Sequence, residues 1–223
     1  CSANVNIDLL EKNPDIAFSI NAEGVKNIAK VSKKYNIRLI HISTDYVFDG
    51  KKGSYTEKDI TNPINVYGKS KLLGEKFVKE NLDNYVIVRT NIFGIDVNNR
   101  DFISNIVKNL KNQIPMTGFD DIIYTPLEVS NLSELISEIT ITDYCGIIHL
   151  SSNTSISKFQ FILEVADVFN LDKNLVKKGT SEDVQFIAKR PKNISLSNNK
   201  ASNFLKTPII PLKDSLKKLK MEF

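Results

Sequence analysis

The apolar positions of this chain change period repeatedly. In residues 15–35, Ile16, Ile20, Val25, Ile28, Ala29 and Val31 recur at spacings that predict a helix. Residues 38–43, Arg-Leu-Ile-His-Ile-Ser, form a short β-rich run that predicts a buried parallel strand. Residues 50–65 are rich in Gly, Asp, Asn and Pro and predict a loop. Residues 66–79 then read as a helix, 85–89 as a second strand, and 102–110 and 129–139 as further helices. A third strand-like run covers 146–150. Ser157 and Gln160 form a capping box, which opens a helix ending near Phe169 because each side chain satisfies a free amide of the first turn.

Strands alternating with helices imply an α/β protein with a parallel, helix-covered sheet. A length of 223 residues suits one sizeable domain, or a main domain carrying a smaller lobe. From about Thr117 the alternation is less regular. Residues 1–116 are therefore expected in the main domain. Residues 117–223 are expected mainly in a smaller lobe, with some elements returning to the main sheet.

Charge and composition exclude several classes of function. The net charge of +4 is mild, and the densest basic cluster, Lys213, Lys217, Lys218 and Lys220, has the spacing of a solvated helix face. No nucleic-acid surface is expected from it. No apolar run approaches the roughly 20 residues of a membrane span, so no membrane partner and a cytoplasmic location are expected. Cys1 and Cys145 are too few for a disulfide framework or a cysteine metal site, and His41 and His149, each inside an apolar run, read as core residues. No metal is expected.

The candidate chemistry lies in the first half. Ser43-Thr44-Asp45-Tyr46 follows the first predicted strand, and in open parallel sheets ligands bind beyond the carboxyl ends of strands. Tyr67-Gly68-Lys69-Ser70-Lys71 opens the next helix, and its i,i+4 spacing places the Tyr67 phenol and the Lys71 ammonium on one face. Hydride addition to a ketone needs a proton donor for the developing alkoxide. A phenol with a pKa of about 10 is a weak acid for that work near neutrality, and a neighbouring cation lowers the value. The Thr44 hydroxyl adds a second donor to polarise the carbonyl.

The runs His41-Ile42-Ser43-Thr44-Asp45-Tyr46-Val47-Phe48-Asp49-Gly50 and Asn62-Pro63-Ile64-Asn65-Val66-Tyr67-Gly68-Lys69-Ser70-Lys71 closely resemble the dTDP-4-dehydrorhamnose reductase family of extended short-chain dehydrogenase/reductases. The likeness continues through residues 5–14, Asn21-Ala22-Glu23-Gly24, Arg89-Thr90-Asn91-Ile92-Phe93-Gly94 and Arg190-Pro191. The resemblance implies a Rossmann-like doubly wound sheet, lacking its first strands here, with a smaller substrate-binding lobe. It implies Thr44, Tyr67 and Lys71 as the catalytic residues, with Tyr67 as proton donor and Lys71 on the nicotinamide ribose. It implies Ala3, Asn4, Val5 and Ile42 along NADPH or NADH, together with Tyr67 and Lys71. Substrate contacts are implied at Thr44, Asp45, Tyr46, Asn91 and Ile92. A nucleotide-sugar substrate, dTDP-4-dehydrorhamnose in the first place, and a homodimer follow from the same likeness. It leaves room for another nucleotide-sugar reductase or epimerase, and for a regulatory subunit like that of methionine adenosyltransferase.

Two departures fall in the sugar-recognition part. Thr90-Asn91-Ile92 stands where the family has Thr-Ser-Trp, and residues 120–126, Asp-Asp-Ile-Ile-Tyr-Thr-Pro, replace its Asp-Gln-x-x-x-Pro-Thr loop. In addition, the nine glycines form no Gly-x-Gly-x-x-Gly. The family places that pyrophosphate-binding turn in two βα units preceding Cys1, on the order of 60 residues. The chain is accordingly expected to be a truncated form that binds NAD(P)H weakly or not at all and is inactive as this fragment.

Overall fold

The computed structural model describes residues 3–96, 98 and 101–221. Cys1, with which the N-terminal strand was expected to open, lies outside them. The chain begins with α1 (Ile7–Lys12) and α2 (Pro14–Phe18), passes through a π-helical turn (Ser19–Glu23) into α3 (Gly24–Lys34), and enters β1 (Leu39–Thr44). After the loop come α4 (Val66–Asn81), β2 (Tyr85–Thr90), β3 (Ile92–Phe93), α5 (Phe102–Lys111), β4 (Met116–Phe119), β5 (Ile123–Tyr124) and β6 (Leu127–Glu128). Then follow α6 (Val129–Thr140), β7 (Gly146–His149), β8 (Ile156–Ser157), α7 (Lys158–Val168), β9 (Val176–Gly179), α8 (Asn199–Phe204) and α9 (Leu212–Lys220).

The main sheet is parallel in the order β1-β2-β7, with Ile42 opposite Val88 and Val88 opposite Ile148. Period-two alternation decides which helices cover each face. Ile87 points to α3 and α4, joining Val25, Ala29 and Val78. Val86 and Val88 point the other way, to Leu132, Leu135 and Ile139 of α6 and Ala201 of α8. With helices on both faces, β2 is buried from Val86 to Thr90, as its continuous apolar run predicts. A second core, with Ile103, Ile106, Leu110, Phe161, Val165 and Leu216, joins α5, α7 and α9 to the ladder of β4 and β9. The predicted capping box is present: Ser157 Oγ accepts from Gln160 N, and Gln160 Oε1 accepts from Ser157 N.

The helix expected over 15–35 is interrupted. Asn21, buried in the π-turn, accepts from Asn4 N at 3.1 Å and donates to Asn4 O at 3.1 Å and Ser70 Oγ at 3.2 Å. The segment matched to a strand end, Ala3-Asn4-Val5, is thus held by a side chain and has no strand pairing. It is tied to α4 beside Tyr67, whose carbonyl accepts from Ser70 Oγ at 2.8 Å.

Both histidines lie in the core, and burial depresses their pKa to about 3, with Lys71 adding to the effect at His41 and Arg89 at His149. A depressed histidine contributes stability that is complete above the unfolded value near 6.5 and lost as pH falls toward 3. Asp45 works in the opposite sense: burial raises it to about 6, so its contribution is complete below 3.8 and lost as pH rises through 6. Two depressed histidines outweigh one raised aspartate. Lowering the pH from 7 to 4 is expected to cost on the order of 4 kcal/mol from these three groups, and carboxylates held low, such as Asp101 and Asp121, add to the loss. Urea midpoints followed across that range check it, and a midpoint that stays constant contradicts it.

Candidate active site

Thr44 is the last residue of β1, and its Oγ1 donates to Asp45 Oδ1 at 3.0 Å while accepting from Tyr46 N at 3.2 Å. The chain therefore turns sharply at the strand's carboxyl end and leaves Thr44 and Asp45 buried. Asp45 Oδ2 accepts from Asn91 Nδ2 at 2.7 Å, which brings the start of β3 to the same place.

Helix α4 is fixed at its N-terminus by two polar contacts. Asn65 caps it by accepting from Gly68 N at 2.9 Å, and Glu11 of α1 accepts from Val66 N at 2.8 Å. A glycine is needed at position 68 because a Cβ there would stand 2.2 Å from Tyr46 O. That close approach sets the Tyr46 and Tyr67 rings edge to face at 5.5 Å. Tyr67 and Thr44 are both buried here, near enough that the Thr44 hydroxyl opposes the rise that burial gives the phenol's pKa. One turn on, Lys71 Nζ donates to Ile42 O of β1 at 2.7 Å. The phenol therefore stands near the Thr44 hydroxyl at the end of β1, while the ammonium is anchored to the same strand two residues earlier, at Ile42.

The electrostatics differ from the expectation that Lys71 would lower Tyr67. Burial raises the phenol to about 12, against a lowering by the Thr44 hydrogen bond. The Lys71 ammonium is taken by the Ile42 carbonyl, and its own pKa falls to about 8 through burial, with Glu75 opposing. Near neutrality Tyr67 therefore holds its proton, the state a donor needs.

A cavity of about 640 Å³ opens beside this cluster, walled by Tyr46, Asn91, Ile92, Phe119, Tyr124 and Lys158 among others. Of the expected substrate contacts, Tyr46, Asn91 and Ile92 are on its wall; Thr44 and Asp45 are not, nor are Tyr67 and Lys71, of which Tyr67 reaches it only through its packing on Tyr46. Of the expected cofactor contacts, Ile42 and Asn4 are half-buried, and Ala3 and Val5 are exposed. Sequence reasoning missed Phe102, Phe119 and Lys158 as wall residues. They come from separate elements of the second core, and no local pattern unites them.

The fold and this cluster define a Rossmann-like chain of the extended short-chain dehydrogenase/reductase type. The chain belongs to the family described as the RmlD substrate binding domain, whose model matches residues 1–223. It is 32% identical to methionine adenosyltransferase 2 subunit beta of Rattus norvegicus, over 97% of this chain and 68% of that protein. It is also 32% identical to dTDP-4-dehydrorhamnose reductase of Aggregatibacter actinomycetemcomitans, over 89% of this chain and 71% of that one. The chain spans 62% of the length of the subunit beta of Mus musculus. Among solved structures, dTDP-4-dehydrorhamnose reductase of Bacillus anthracis in complex with NADP superposes with a TM-score of 0.92 at 32% identity, covering 100% of this chain and 79% of that one. A hypothetical dTDP-4-dehydrorhamnose reductase of Sulfolobus tokodaii reaches 0.87 at 38% identity, covering 96% and 76%.

Proposed function

We propose that this protein is an NADPH- or NADH-dependent reductase of a nucleotide-linked 4-keto-6-deoxy sugar, with dTDP-4-dehydrorhamnose as the leading substrate. The reading is supported by Thr44 and Tyr67 near one another at the end of β1, Lys71 anchored to Ile42 O of that strand, and Tyr46, which packs on Tyr67, on the wall of a cavity of about 640 Å³. The likeness to two dTDP-4-dehydrorhamnose reductases supports the substrate class.

The residues present fit the nicotinamide–ribose end of the cofactor. Lys71 has three donors and uses one on Ile42 O, so the others are free for ribose hydroxyls. The half-buried Ile42 and Asn4 line the approach. A bound reduced nicotinamide supplies the hydride to the carbonyl carbon. Tyr67 gives its proton to the carbonyl oxygen as that oxygen gains charge, so the substrate becomes an alcohol and Tyr67 a phenolate that water reprotonates. Thr44 donates to the same oxygen by turning its one hydroxyl proton away from Asp45 Oδ1, where it rests in the free protein, and Lys71 stabilises the transient phenolate.

Among the described residues no Gly-x-Gly-x-x-Gly turn leads from a strand into a helix, so the assay uses millimolar cofactor. Loss of NADPH absorbance on adding dTDP-4-dehydrorhamnose, with the alcohol product seen by NMR, is the expected result. NADPH that is consumed equally without the sugar counts against the proposal.

The 32% identity to the methionine adenosyltransferase subunit favours a second reading, a regulatory chain that binds a partner enzyme. Turnover separates the two.

A further inference from the structure

Lys158 is the first residue of α7, and the capping box at Ser157 fixes its direction. Its ammonium lies 3.5 Å from the centroid of the Tyr124 ring and 5.3 Å from that of Phe102, on the wall of the cavity. Among the described residues it donates no hydrogen bond and forms no ion pair; the only acceptors it meets are aromatic faces. Arg190, the other cation on the wall, is already committed to Asp8 at 2.7 Å and lies over Phe186 at 4.5 Å. Of the wall's carboxylates, Asp101 caps α5 by accepting from Ser104 N at 2.8 Å, and Asp96 lies beside it.

The anion that acts on Lys158 is Asp45, whose two oxygens accept from Asn91 and Thr44 and which makes no ion pair with the lysine. Burial lowers the lysine to about 8, with Asp45 opposing, so the ammonium is poorly hydrated where it stands. A lysine stem can normally extend until its head reaches water. Here two rings hold the head against the cavity. A desolvated cation without an anionic hydrogen-bond partner gains most from a ligand that supplies one.

We infer that Lys158 is the anion-recognising residue of this cavity and that it takes a phosphate oxygen of the nucleoside diphosphate on the substrate. The inference rests on the nucleotide-sugar reading above and adds a specificity-determining residue to it. An ammonium suits phosphate as a point charge, and Tyr124 and Phe102 keep that charge dry.

The test is calorimetric titration with dTDP and UDP, each against its uncharged nucleoside, on the wild type, Lys158→Met and Lys158→Arg. Melting curves first establish that the variants are folded. The expected result is a loss of roughly 10–100-fold in diphosphate affinity for Lys158→Met, with Lys158→Arg within about threefold of wild type and nucleoside affinity unchanged. Diphosphate affinity that is equal in Lys158→Met and wild type overturns the inference. So does a wild type that binds neither diphosphate, or a loss that falls equally on the nucleosides. Failure here is distinguishable from failure of the reductase reading. A Lys158-dependent affinity without turnover sinks only the chemistry, and turnover with a Lys158-independent affinity sinks only this assignment.

Discussion

Replacing Tyr67 by phenylalanine is expected to lower kcat by roughly 10²–10⁴-fold while leaving the fold intact. The substitution removes one hydroxyl from a ring that is 9% exposed and packed edge to face on Tyr46. Volume is nearly preserved, so the stability change should stay within about 1 kcal/mol, the scale of one polar contact. The chemical loss is far larger, because water cannot replace the phenol at the end of β1 without displacing the ring. Burial keeps the proton on Tyr67 up to about 12, so the missing donor is not a group that titrates near neutrality. The pH profile of the residual rate should therefore keep the wild-type shape between pH 6 and 8. Steady-state kinetics with saturating cofactor and keto-sugar nucleotide measure both. A kcat within threefold of wild type would sink the assignment of Tyr67 as donor. A wild type without turnover, whose interaction with a partner enzyme ignores the substitution, would instead support the regulatory reading.

The elements that place Tyr67 were legible because each obeys a local rule. The runs that became β1, β2 and β7 are buried strands between helices, and β2 reads as unbroken apolar sequence because both of its faces are covered. The Tyr67–Lys71 spacing placed phenol and ammonium on one helix face, whereas the Asn65 cap that fixes the start of that helix was not read from the sequence. What escaped is whatever depends on residues meeting from afar. The break in the helix over 15–35 arises because Asn21 turns inward to bond Asn4 and Ser70, which are 17 and 49 positions away. The same turn brings its carbonyl so near α4 that a Cβ on Gly74 would stand 2.5 Å from Asn21 O. Helical periodicity carries no trace of either contact.

Lys158 shows the same limit from the side of chemistry. Its position inside a capping box announces only a helix start, and its role depends on Tyr124 and Phe102, each from another element. The tuning of Tyr67 was misread for a related reason. Spacing puts Lys71 on the right face, but the Ile42 carbonyl, which competes for the ammonium, belongs to a neighbouring strand.

Arg89→Met is expected to destabilise the protein by about 3–5 kcal/mol, a large share of the roughly 5–15 kcal/mol that holds an ordinary domain folded. Glu75 of α4 accepts from Arg89 Nε at 2.9 Å, from Arg89 Nη2 at 2.7 Å and from Ser43 Oγ at 2.5 Å. Both charged side chains are buried, at 3% and 0% exposure. Removing the guanidinium leaves a carboxylate in the core with one hydrogen bond, from Ser43, and only the Lys71 charge nearby, and that poorly compensated charge dominates the cost. The double variant Glu75→Leu with Arg89→Met removes both charges and should recover most of the loss, since a buried pair offsets little more than its own desolvation. Urea denaturation of the two single variants and the double variant measures the coupling; simple additivity would contradict it. The network also ties α4, which carries Tyr67 and Lys71, to β1, which carries Thr44, through Ser43. If Arg89 and Glu75 act only as that tie, the double variant should regain stability ahead of turnover, because a methionine–leucine contact restores packing without fixing the helix against the strand to hydrogen-bond precision.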